Sequence, residues 1–109
     1  GSLNQIPRSC YCGEPRAKDI GKEFILKGWV LSRRDHGGLI FIDLRDRTGL
    51  CQVVLDPSGM DGEKFHQAHD LRNEYVLAVR GIVVPRLEGT VNPKLDTGEI
   101  ELKVSEFEV

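Results

Sequence analysis

Residues 39–45 read Leu39-Ile40-Phe41-Ile42-Asp43-Leu44-Arg45. Side chains on a strand alternate between its two faces. Ile40, Ile42 and Leu44 therefore share one face, while Leu39, Phe41, Asp43 and Arg45 share the other. An aromatic ring set among charges on a sheet surface offers a platform for an unpaired nucleobase. A slip of one residue would bury Phe41, but it would also expose three aliphatic side chains and bury Asp43 and Arg45, which costs far more. Gln52 alternates with Cys51 and Val53. Its amide is either merely solvated or, beside a stacking ring, a donor and acceptor for one base edge. Arg33, Arg34, Arg45 and Arg47 stand at the ends of neighbouring strand patterns. They converge either as surface ion pairs with Asp35, Asp43 and Asp46, each worth about 0–1 kcal/mol, or as phosphate and base contacts that those acids hold in orientation. Glu101, between Glu99 and Lys103, is a solvated carboxylate by default. Facing a base, it would accept from the amino group of cytosine and reject a carbonyl in its place.

Other chemistries find less support. His36 lies in an Asp-His-Gly-Gly turn with no serine or cysteine arranged beside it, and His66 and His69 are expected to face solvent. There is no phosphate-cradling glycine loop, no nucleophile motif and no paired-carboxylate site, so no catalytic residue and no cofactor are expected of this stretch itself. Cys10, Cys12 and Cys51 are an odd number without a Cys-x-x-Cys pair. That argues against a disulfide framework or a metal site and fits a reducing cytoplasm. No run of about 18 apolar residues is present to span a membrane, and no signal peptide is expected from the pattern of the first residues. The formal charge is −2, from 15 basic and 17 acidic residues. Such a chain cannot coat nucleic acid by net charge and must bind it, if at all, through a local patch.

The elements that must position these residues follow from periodicity and turn chemistry. At 109 residues, 39% hydrophobic and 29% charged, the chain is one small globular domain. Gly1-Ser2 reads as a cloning remnant, and residues 1–9 as a loose lead-in to a domain over 10–109. A helical turn is expected at 17–20 and a first strand at 24–31, bent at Gly28. Residues 33–38 form a connection to the second strand at 39–45, and 46–49 a turn into a third strand ending at Leu55. Phe65, Ala68 and Leu71 are spaced for a short helix plugging one end of a barrel. A fourth strand follows at 75–84, which Pro85 ends or leaves on an edge. The long loop 86–98 is the kind that binds ligands, and Ile100, Leu102 and Val104 mark a fifth strand. Five strands with a helix between the third and fourth is the order of an OB-fold, an all-β Greek-key barrel whose ligand face is formed by strands two and three.

Several motifs together resemble the N-terminal anticodon-binding domain of bacterial-type aspartyl-tRNA synthetases. They are Tyr11-Cys12-Gly13, Gly28-Trp29-Val30, Arg33-Arg34-Asp35-His36-Gly37-Gly38, the run 39–47, Gly49-Leu50-Cys51-Gln52-Val53-Val54, Leu71-Arg72-Asn73-Glu74-Tyr75-Val76 and Thr97-Gly98-Glu99-Ile100-Glu101. The likeness covers residues 9–109. It implies an OB-fold joined, in the whole enzyme, to a class II catalytic domain that uses ATP and magnesium and forms a homodimer; the stretch alone is expected to be monomeric. It implies tRNA as partner, the barrel splaying out the anticodon GUC. By this resemblance Phe41 stacks on the middle uracil, Gln52 bonds its edge, Glu101 accepts from the third-position cytosine, and Arg34 reaches bases and backbone. Arg33, Asp43, Arg45 and Arg86 join them as candidate anticodon-binding residues. Ser32 and Val84 depart from the family, many members of which carry further arginines there. Some members charge only the aspartate tRNA and others also the asparagine tRNA. His36 and Gly89 resemble the relaxed type, which reads GUU as well. A general single-stranded nucleic-acid binder on the same fold is the alternative, and it would call for more aromatics and a basic groove. A domain that binds only protein would leave an exposed Phe41 without a purpose.

Overall fold

The alternation of apolar and polar residues builds five strands: β1 (Glu23–His36), β2 (Leu39–Asp46), β3 (Gly49–Leu55), β4 (Val76–Pro85) and β5 (Ile100–Glu108). The computed structural model describes residues 3–87 and 89–109. The strands close into a barrel in the order β1-β2-β3-β5-β4, with β1 hydrogen-bonded to both β2 and β4. All pairs are antiparallel except β3 with β5, which are parallel. This is the expected OB-fold topology. Leu26, Val30, Ile40, Ile42, Leu44, Val53, Leu55, Leu77, Val79, Val83, Ile100 and Leu102 fill the interior. Between β3 and β4, helix α1 (Gly62–Gln67) and the 3-10 turn Ala68–Asp70 seat Ala68 and Leu71 in that core, with Phe65 packed against it. The helix therefore closes one end, as its spacing predicts. No helix among the described residues is long and apolar enough to cross a membrane.

β1 and the N-terminal segment differ from expectation. β1 runs through Arg33, Arg34, Asp35 and His36 instead of ending at residue 31, and the connection shrinks to Gly37-Gly38. Both glycines have positive φ, 59° and 83°, the requirement of a two-residue type I′ hairpin. Charged residues on a solvated hairpin carry no hydrophobic period, so their strand character was hidden. The irregularity expected at Gly28 falls instead between Val30 and Ser32. Gly28 serves a close approach: a Cβ there would lie 2.3 Å from the Arg45 carbonyl oxygen. The lead-in is not loose from Leu3 onward. Leu3 is buried against Ile25 and Ala78 with Ile6 beside it. Ser9 exchanges two hydrogen bonds with Ile25, at 2.8 and 2.9 Å. Gly1 and Ser2 lie outside the described residues. β5 also continues past Val104, bringing Phe107 into the core.

Candidate nucleic-acid interface

The irregularity in β1 decides which arginine reaches the outer face. Val30 pairs with Leu44 in the core, one residue is then inserted, and Ser32 pairs with Asp43 and Arg34 with Phe41. Directly opposed residues lie on the same side of a sheet. Ser32 and Arg34 therefore join Phe41 and Asp43 outside, while Arg33 opposes the buried Ile42. Without the inserted Leu31, strict alternation from Val30 would exchange the two arginines. β3 adds Gln52 opposite Asp43, and β5 adds Glu101 on the outer side of Leu102.

These side chains form one hydrogen-bonded row. Ser32 Oγ donates to Asp43 Oδ2 at 2.7 Å, and Arg34 Nη1 donates to the same oxygen at 3.0 Å. Arg34 Nη2 donates to Gln52 Oε1 at 3.0 Å. Gln52 Nε2 donates to Glu101 Oε1 at 2.8 Å. Gln52 and Glu101 are only 6% and 8% exposed, so their polar groups need these partners, and the row fixes which end of the amide faces which strand. Burial pushes the Glu101 carboxyl up; the Gln52 hydrogen bond and the positive charge of Arg86 pull it down, and the net direction is upward.

Above the row lies a cleft of about 590 Å³, within the range of small-ligand sites. Phe41, Gln52, Glu101, Arg34 and His36 line it from the strands, and Arg86, Leu87 and Thr90 from the β4–β5 loop, with Asp35 at the edge. Arg86 is tethered by hydrogen bonds to the carbonyls of Ile100 (3.1 Å) and Thr90 (3.3 Å). Its Nη2 is buried with no partner among the described residues. The surface thus offers a half-buried ring for stacking, donors from Arg34 and Arg86, and a carboxylate acceptor in a partly desolvated setting.

Of the ten candidate residues, Arg34, His36, Phe41, Gln52, Arg86 and Glu101 meet in this cleft. Asp43 lies behind them and holds Arg34. Arg33 is turned away. It pairs with Asp35 at 2.9 Å and donates to the carbonyls of His69 (2.8 Å) and Leu71 (2.9 Å), fastening the helical plug. Arg45 lines a second, smaller pocket farther along the face. Gly89 is exposed in the β4–β5 loop, with φ at 86°. Leu87 and Thr90 went unrecognised individually; their only signal was membership of that loop, which has no period to read. The two departures from the family pattern both fall here, Ser32 in the row and Val84 directly opposite Glu101. His66 and His69 are exposed, as expected.

A closed five-stranded barrel with a cleft across β2 and β3, framed by the β1–β2 hairpin and the β4–β5 loop, is an OB-fold with its ligand face intact. The sequence model of the tRNA anti-codon family, described as an OB-fold nucleic acid binding domain, matches residues 24–109, and the chain belongs to that family. It is similar to the aspartate–tRNA(Asp/Asn) ligase of Moorella thermoacetica, 64% identical over 105 residues, which are 96% of this chain and 17% of the ligase. The corresponding ligase of Syntrophotalea carbinolica is 60% identical over the same shares. The chain therefore spans about a sixth of the length of these curated relatives, 17% in both. Among solved structures, asparaginyl-tRNA synthetase from Pyrococcus horikoshii superimposes with a TM-score of 0.80 at 31% identity, covering 96% of this chain and 22% of that one.

Proposed function

We propose that this chain is the anticodon-reading module of an aspartate–tRNA ligase, binding the anticodon GUC and also GUU. The hydrogen-bonded row from Arg34 through Gln52 to Glu101, lying beside Phe41, carries the proposal. Phe41 stacks on the middle base. Gln52 and Arg34 present fixed donors and acceptors to its edge, and Glu101 accepts from a third-position cytosine. His36 and Gly89 belong to the two segments that frame the cleft and set how strictly the anticodon is read. The similar ligases from two bacteria are named for both the aspartate and asparagine tRNAs, which supports the relaxed type. Aminoacylation itself, with ATP and magnesium, belongs to the remainder of such an enzyme, working in the cytoplasm as a dimer.

The test is a titration of anticodon stem-loops carrying GUC, GUU and an unrelated triplet, followed by chemical-shift mapping. GUC and GUU should both bind more tightly than the third and shift the resonances of residues around Phe41. Phe41→Ala should weaken GUC binding by about 1–3 kcal/mol, the usual worth of one stacked base, without unfolding the barrel. Equal binding of all three stem-loops would replace the proposal with a general single-stranded nucleic-acid binder, and GUC binding alone would make the module a strict aspartate reader.

A further inference from the structure

A second charged surface lies at the β2–β3 turn, away from the cleft. Arg8 and Arg47 both stand over the ring of Tyr11, at 4.9 and 5.1 Å from its centroid, and Arg47 Nη2 donates to the Tyr11 hydroxyl at 3.2 Å. Arg45 and Lys94 line one pocket of about 180 Å³ beside Gly13 and Thr48. None of these four cations has a carboxylate within ion-pair distance among the described residues. Of the nearby acids, Asp46 and Glu14 are engaged by hydrogen bonds, whereas Asp96 lines the same pocket as Arg45 and Lys94 and is largely exposed. Asp46 accepts from the Cys12 amide through one oxygen and from the Thr48 amide and hydroxyl through the other. Glu14 accepts from the Tyr11 amide, and Asp96 faces Arg16 at 3.9 Å.

A chain of net charge −2 has thus concentrated unpaired positive charge at one end of its ligand face. Contact with the Tyr11 ring holds two guanidinium groups in place while leaving N–H donors toward solvent. Arg45 projects from the same face of β2 as Phe41, four residues on and about 13 Å away at ~3.3 Å per residue. The cleft and the charged surface therefore lie on one continuous line.

We propose that Arg8, Tyr11, Arg45, Arg47 and Lys94 form a phosphate-binding surface for the backbone of the RNA strand that continues out of the Phe41 cleft. The inference rests on the anticodon reading of that cleft and divides the labour along the face: bases are read in the cleft, and the backbone is fixed here without regard to sequence.

The test uses this chain with two RNA probes, a GUC stem-loop and the bare trinucleotide GUC, a stemless RNA with no strand to continue out of the cleft. Affinities are measured across a range of salt for the wild type, the Arg47→Gln/Lys94→Gln double variant and Phe41→Ala. Losing two phosphate contacts at about 0.7–0.9 each should reduce the stem-loop's log–log salt slope by about 1.4–1.8. The stemless RNA should keep its slope and affinity in the double variant. An unchanged stem-loop slope would overturn the proposal, as would an equal loss for the stemless RNA. If the stem-loop responds to the double variant but not to Phe41→Ala, the cleft reading fails and the phosphate surface stands. If neither RNA binds the wild type, both fail.

Discussion

Glu101 is the residue whose environment bears most directly on selectivity. Its Oε1 is taken by Gln52, and its other oxygen has no protein donor among the described residues. A carboxylate so placed favours a base that offers an amino group and repels one that offers a carbonyl, because an acceptor facing an acceptor leaves both unsatisfied. Glu101→Gln keeps the shape and can still accept from Gln52, but its amide serves as donor as well as acceptor. The preference for cytosine over uracil at the third anticodon position should therefore shrink toward parity. Competition between stem-loops that differ only in that base measures this, and an unaltered ratio would remove Glu101 from the reading role.

At the scale of elements, β1 does three tasks: it closes the barrel against β4, pairs with β2, and delivers Arg34 to the ligand face. Its inserted residue at Leu31 makes the last of these possible, and its close contact at Gly28 lets it cross β2 tightly at Arg45. A methyl group at position 28 would meet the Arg45 carbonyl at 2.3 Å and its carbon at 2.9 Å. Backbone cannot swing aside as a side chain does, so Gly28→Ala should destabilise the domain by about 1–3 kcal/mol, as overpacking usually does. Urea unfolding followed by circular dichroism gives the value; a variant as stable as the wild type would mean that the two strands yield without cost. The Phe41 face was legible in the sequence, since β2 obeys a clean period of two. The Arg33–Arg34 choice was not, because a single inserted residue reverses every face beyond it.

For the whole molecule, stability against acid rests on aspartates that accept hydrogen bonds in turns and on strand ends, of which Asp46 alone ties a distant loop, at Cys12, to the barrel. Hydrogen bonds from the Arg16 amide, the Arg33 guanidinium and the Ser58 amide hold Asp19, Asp35 and Asp56 below the ordinary range. Burial alone would raise the buried Asp46, but hydrogen bonds from Thr48 and Cys12 outweigh it and the net shift is downward. A carboxyl depressed on folding contributes stability that is complete above the unfolded value of about 3.9 and is lost as the pH falls through the folded value. Glu101 has the opposite sign: its stability term is complete below the unfolded value and is lost as the pH rises through its raised folded value. Thermal unfolding followed from pH 6 to pH 2 should accordingly show a steep fall below about pH 4. Asp46→Asn, which removes one of these groups, should flatten that fall; an unchanged acid limb would show that Asp46 is not among its causes.

The sequence by itself determined the strand faces outside the charged end of β1, the helical plug, the five-strand order and the chemical character of the site. Each of these is a local pattern of one residue against its near neighbours, so alternation, turn glycines and helical spacing were enough to show it. Only the tertiary structure decided that Arg34 and not Arg33 joins Phe41, that Gln52 bridges to Glu101, and that Arg8 and Arg47 meet over Tyr11. Gln52 and Glu101 are 49 positions apart, and they touch because β3 and β5 pair in parallel when the barrel closes. Register between distant strands is fixed by that closure, together with one inserted residue in β1, and neither leaves a periodic trace along the chain.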